Sequence, residues 1–162
     1  MEELVAKQTK EVFELVCQTF DDGGLKYERN DEEMFVICRG RGDDLPIDIG
    51  VFVNPRARVI SLLSPLPFNI AEDKRIEVAL AVCTANHGLV NGSFDYNIGT
   101  GAISFRAVNS YLDTVPSKSL IDYLISIVIR TVDDYNDKFL AVSTGMMTVE
   151  QFIEWEDKMV NG

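Results

Sequence analysis

The stretch that decides the fold runs from Glu33 to Leu63 and reads EMFVICRGRGDDLPIDIGVFVNPRARVISLL. Within it Ile47, Ile49, Val51 and Val53 recur at every second position, with Asp48 and Gly50 between them. That period of two places the apolar set on one face only if the segment is an extended strand. Gly40-Arg41-Gly42-Asp43 before it and Asn54-Pro55-Arg56 after it have turn composition. The flanking apolar runs are then its neighbours, giving strands over Glu33–Arg39, Leu45–Val53 and Arg58–Leu63. Ser64-Pro65-Leu66-Pro67 is expected to end the third of these, because proline cannot donate to a ladder. Strands joined by turns this short pair antiparallel.

Working outward, Leu25 to Arg29 alternates and adds a strand upstream. Downstream, Asn91–Ile98 and Ala102–Val108 form a hairpin about Gly99-Thr100-Gly101. Four helices complete the pattern. Residues 2 to 21 carry Val5, Val12, Val16 and Phe20 on one stripe and stop at Asp21-Asp22-Gly23-Gly24. Asn69 to Glu72 has capping-box spacing and predicts a helix from Ile70 to His87. Ile76, Val78, Leu80, Val82 and Cys83 make that helix apolar on nearly every side, which predicts burial. Ser117 to Thr144 predicts a helix roughly 40 Å long, longer than a small domain is wide. Its apolar residues fill two adjacent stripes. Thr148-Val149-Glu150-Gln151 caps a short last helix carrying Phe152, Trp155 and Met159.

The expected fold class is α+β: a twisted antiparallel sheet with an N-terminal helix, a buried middle helix and a long C-terminal helix packed on it. The 162 residues fit a single domain, 1–162, with the short helix at about 148–159 as an appendage.

Composition narrows function mainly by exclusion. With 26 acidic and 15 basic side chains the chain carries a net charge of -11, a field that repels nucleic-acid phosphates and favours basic partners. No nucleic-acid partner is expected. Cys17, Cys38 and Cys83 lie inside apolar runs at spacings foreign to metal or redox motifs, which predicts buried reduced thiols and a cytoplasmic location. The N-terminus has neither the basic region nor the apolar region of a secretion signal, and no apolar run reaches a membrane span. No membrane association is expected.

The residues that carry chemistry do not form a constellation. His87 is the only histidine, so neither a catalytic base with its partners nor a zinc site is indicated. Asp43-Asp44 and Asp133-Asp134 lack calcium-loop spacing. Gly99-Thr100-Gly101 has strand on both sides, whereas a phosphate-binding loop must open a helix. No cofactor, no metal and no enzymatic activity are expected. The leading reading is a protein-binding module, chaperone- or adaptor-like, working through the long helix. Its contact residues are expected at Leu120, Leu124, Ile127, Phe139 and Trp155, and its partner is another protein or a second copy of the chain, as a homodimer. The alternative is a small-ligand sensor or weak enzyme. It would use an anion clamp at Arg39, Arg56 and Arg58, with His87 as a further candidate, since arginine pairs bidentately with carboxylate and phosphate.

Two segments carry a resemblance. Asn86-His87-Gly88-Leu89-Val90-Asn91-Gly92-Ser93-Phe94-Asp95, followed by Thr100-Gly101-Ala102-Ile103-Ser104-Phe105-Arg106, resembles the core of YbjN-type domains. Those have a helix ending in Asn, a Gly-x-Phe strand, a turn, and a strand closing in an aromatic and Arg. Val132 to Gly145, with Tyr135 and then Thr148, is similar to their closing helix. The resemblance spans about Leu4 to Ile153. It implies a fold like that of bacterial type III secretion chaperones, a helix-flanked twisted antiparallel sheet that is often dimeric. It also implies the family's label of sensory-transduction regulator. It brings no catalytic residues to this sequence.

Overall fold

The computed structural model describes residues 2–112 and 114–161. The elements run α1 (Glu2–Asp22), β1 (Tyr27–Asn30), β2 (Phe35–Arg41), β3 (Pro46–Asn54), β4 (Val59–Asn69), α2 (Arg75–Gly88), β5 (Ser93–Asn97), β6 (Ala102–Ser110), α3 (Lys118–Thr144) and α4 (Val149–Asn161). The six strands make one sheet in the order β1-β2-β3-β4-β6-β5, and every neighbouring pair is antiparallel. The fold is α+β, as the strand pattern and tight turns require.

Alternation along each strand separates two faces. Val36 and Cys38, then Ile47, Ile49, Val51 and Val53, then Ile60, Leu62 and Leu66, and finally Ile103, Phe105 and Ala107 are all buried. Against this face lie Val12, Phe13, Val16 and Phe20 of α1, and a stripe of α3 from Ile121 through Val128 and Tyr135 to Val142. α3 starts at Ser117, whose Oγ accepts the Leu120 N–H at 3.2 Å, and ends at Gly145, which takes the left-handed conformation (φ 75°). α4 begins with the expected reciprocal cap: Gln151 N–H donates to Thr148 Oγ1 and Thr148 N–H to Gln151 Oε1. An aromatic cluster then holds α4 in place. Phe152 stacks on Phe139 at 5.5 Å, and Trp155 meets Tyr135 edge-on at 5.2 Å.

Three expectations need correction. First, β4 does not stop at Leu63 but continues through Pro65 and Pro67 to Asn69. Its ladder with β3 ends at the Gly50–Leu63 pair, and beyond that point only β6 pairs with it. The prolines therefore sit where β4 has become an edge, so a missing N–H costs nothing there. Second, the middle helix starts five residues late. Ile70 is buried, its N–H bonded to the Gly101 carbonyl at 2.8 Å, and a 3-10 turn over Glu72–Lys74 precedes α2. The proposed cap at Asn69 is strand instead. Third, α2 is not buried all round. Val78, Ala81, Val82 and Ala85 face inward, while Ile76 (66% exposed), Leu80 (54% exposed) and Cys83 form an open stripe. Cys17 and Cys38 are buried as expected, and their burial pushes both thiols up; Cys83 is not.

Candidate protein-docking face

The helices leave the other face of the sheet uncovered. Its residues come from the strand positions that alternate with the core set: Phe35, Ile37 and Arg39 of β2, Asp48, Gly50 and Phe52 of β3, Ser61, Leu63 and Pro65 of β4, and Ser104, Arg106 and Val108 of β6. Register puts them in rows across the strands. Phe35, Phe52, Ser61 and Val108 form one row, and Ile37, Gly50, Leu63 and Arg106 the next. Phe35 and Phe52 pack ring to ring at 5.6 Å. A Cβ on Gly50 would stand 2.9 Å from the Phe52 ring, so glycine leaves room for that ring to lie across the second row. A shallow depression of about 450 Å³ follows, floored by Ile37, Gly50, Phe52, Leu63 and Pro65. Phe52 is 36% exposed and Val108 43%.

Charges frame the strip in self-neutralising pairs. Arg39 is hydrogen-bonded to Glu28 on one flank. On the other, Arg106 makes a bidentate pair with Asp95 at 2.7 and 3.1 Å, which holds its guanidinium pKa above the usual range. Exposed pairs like these contribute at most about 1 kcal/mol each to stability. Their effect is local: the strip is apolar in the middle, and its border carries these two pairs together with Asp48, which is in no ion pair among the described residues.

The residues named from the sequence fall elsewhere. Leu124 and Phe139 are fully buried against the sheet and the aromatic cluster, so neither can touch a partner of the folded chain. Leu120 and Ile127 are half-buried packing residues on α3, and Trp155 is half-buried between Tyr135 and the Lys138 ammonium. The surplus apolar surface of the long helix is consumed inside one chain, by the sheet, α1, α2 and α4. The three-arginine clamp does not assemble either. Arg39 sits opposite Asp48, and Arg56 and Arg58 lie in the turn after Asn54. Six residues of extended strand separate those ends, roughly 20 Å. His87 is exposed at the end of α2 on the helical side, apart from all three.

Known proteins with the same arrangement place the chain. The family described as "YbjN: Putative bacterial sensory transduction regulator" matches residues 13–141. The chain belongs to the YbjN family. Solved structures that share its fold include the following two. The first is "YbjN, a putative transcription regulator from E. coli", at 9% identity and a TM-score of 0.56, covering 78% of this chain and 92% of that one. The second is a chain of the ExsC–ExsE complex, at 12% identity and a TM-score of 0.58, covering 80% and 93%. At such identities the likeness is one of fold. No curated protein sequence matches the chain. The YbjN match ends at residue 141, before α4, which this chain adds to the matched region through Phe152 and Trp155. Among the described residues no helix is long and apolar enough to cross a membrane.

Proposed function

We propose that the chain is a non-enzymatic, cytoplasmic protein-binding module, chaperone- or adaptor-like and regulatory in role, and that it holds another protein on the open face of its sheet. The observation that carries this reading is the apolar strip of Phe35, Ile37, Phe52, Leu63 and Val108 on a face that none of the helices covers. A contiguous apolar patch rimmed by polar groups marks an interaction surface, and paired aromatics are its natural anchors. The net charge of -11 biases encounter toward basic partners. The likeness to a protein solved in the ExsC–ExsE complex agrees with this use of the fold, as does the family's regulatory description.

Charge introduced into the strip tests the reading. Phe52→Glu keeps the backbone and the core face, and Tyr123→Glu places the same charge on the exposed outer side of α3. With both variants folded by circular dichroism, the protein co-purifying with the tagged wild type is retained by Tyr123→Glu and lost with Phe52→Glu, by at least about tenfold. Equal retention by the two variants contradicts the proposed face.

A further inference from the structure

The last helix carries an acid in the middle of its own docking stripe. Phe152, Glu156 and Val160 follow one another at steps of four, with Trp155 beside them, so they share the side of α4 that packs on α2 and α3. Only Phe152 and Glu156 of α4 are buried. On the α3 wall Phe152 stacks on Phe139 and Trp155 meets Tyr135, while Phe94 of β5 backs these two α3 rings at 4.9 and 5.4 Å. The facing wall is the end of α2. A Cβ on Gly88 there would stand 2.7 Å from Glu156 Oε1 and 3.4 Å from Val160. Together the walls make a groove that takes one side of an amphipathic helix, and α4 lies in it.

Little besides that stripe holds α4. Among the described residues no ion pair joins it to the rest of the chain. Its one side-chain hydrogen bond across the interface there is the Tyr135 hydroxyl to Glu156 at 3.4 Å, supplemented by the Lys138 ammonium 5.5 Å from the Trp155 ring centroid. A carboxyl buried with one long hydrogen bond disfavours docking. The C-terminal carbonyls of α2 beside it repel an anion further. A helix that served only to close the core would carry an apolar residue between Phe152 and Val160. The connection to α3 also permits release: Gly145 is a left-handed hinge with no atom within 4 Å of a Cβ built on it, and Met146 next to it is exposed.

We propose that the groove between α2 and α3 receives an amphipathic helix of another protein, with aromatic residues three apart and an uncharged residue where α4 has Glu156, and that α4 occupies it as a displaceable internal competitor. Such a helix buries against the same rings without burying a carboxyl, and an apolar group in place of a buried charge binds better. The groove lies on the helical side of the sheet, so the proposal does not rest on the open face.

Trp155 is the only tryptophan of the chain, so its emission reports the state of α4 in the intact protein. The probe is a peptide of residues 147–161 carrying Trp155→Phe, which makes it silent, and Glu156→Leu. Added to the full chain at neutral pH, it is expected to shift Trp155 emission to the red, with half of the effect below about 1 mM, the effective concentration of a helix on so short a tether. The same Trp155→Phe peptide with Glu156 retained needs at least about tenfold more. Glu156→Leu in the chain improves the resident helix and raises the probe concentration needed at least about tenfold. Should that variant fail to fold by circular dichroism, the two peptides on the wild-type chain decide. Emission unmoved by the probe up to about 5 mM overturns the proposal. So does an equal effect of the two peptides, or a folded Glu156→Leu chain that releases Trp155 as readily as wild type.

Discussion

At the scale of single residues, Glu156 shows how the last helix couples to the rest. It is 5% exposed, and its Oε1 accepts from the Tyr135 hydroxyl at 3.4 Å. Burial pushes the carboxyl above the usual carboxylate range; the Tyr135 hydrogen bond opposes this, Asp157 adds to it, and His87 opposes it. The native state therefore keeps a proton that the unfolded chain has already released. From the unfolded value of about 4.3 up to the raised native value, stability falls as pH rises, and the loss persists above that window. Glu156→Gln retains an acceptor for Tyr135 without the charge. Thermal melts should superimpose with wild type below about pH 4 and lie above wild type at pH 7. A variant that melts below wild type at pH 7 would show that the charged form is the stabilised one. The core also contains polar atoms without partners among the described residues, on Ser64 and Asn136. Neither was legible in the sequence, since a serine in a strand and an asparagine in a helix look the same whether they face water or the core.

At the scale of elements, the readable features were those that one local rule decides. The period of two in β3, the glycine stop of α3 and the reciprocal cap of α4 needed no knowledge of neighbours. Failures came where a neighbour decides. Pro65 and Pro67 can stay in β4 only because β3 has already ended beside it. α2 is apolar on nearly every side, so periodicity could not say which side would stay open, and packing on α3, α4 and β5 left Ile76 and Leu80 outside. The β5–β6 hairpin gives a prediction at this scale. Gly101 has φ at 77°, and a Cβ there would stand 2.2 Å from the Ile70 carbonyl oxygen and 2.8 Å from its nitrogen, both rigid backbone. Gly145 has a similar φ of 75° but no atom within 4 Å of such a Cβ. Gly101→Ala should cost about 2–4 kcal/mol in urea unfolding, and Gly145→Ala about 1 kcal/mol. Equal costs would show that the hairpin turn can move away from Ile70.

At the scale of the whole molecule, six antiparallel strands take all their helices on one face. A two-layer arrangement of this kind satisfies the core and leaves the opposite face to be polar or to be used. Here it is apolar through its centre, and the sign was present in the sequence. Phe35, Ile37, Phe52 and Leu63 fall between core positions, so β2 and the adjoining parts of β3 and β4 carry apolar side chains on both faces where a solvated sheet would show polar residues. The long helix carries the louder pattern: its length and apolar circumference predict surplus surface, yet the single chain covers it. The clamp of Arg39, Arg56 and Arg58 failed for a reason of the same scale, because successive hairpins send alternate turns to opposite ends of the sheet. Membership of the YbjN family accounts for the architecture. A photoreactive phenylalanine analogue placed at Phe52, and separately at Tyr123 as the control aromatic on the helical side, reads that surface directly in living cells. The account predicts a covalent adduct with a different protein from position 52 and none from position 123. Adducts of equal yield from both positions, an adduct at 52 with a second copy of the chain alone, or no adduct at 52 would contradict it.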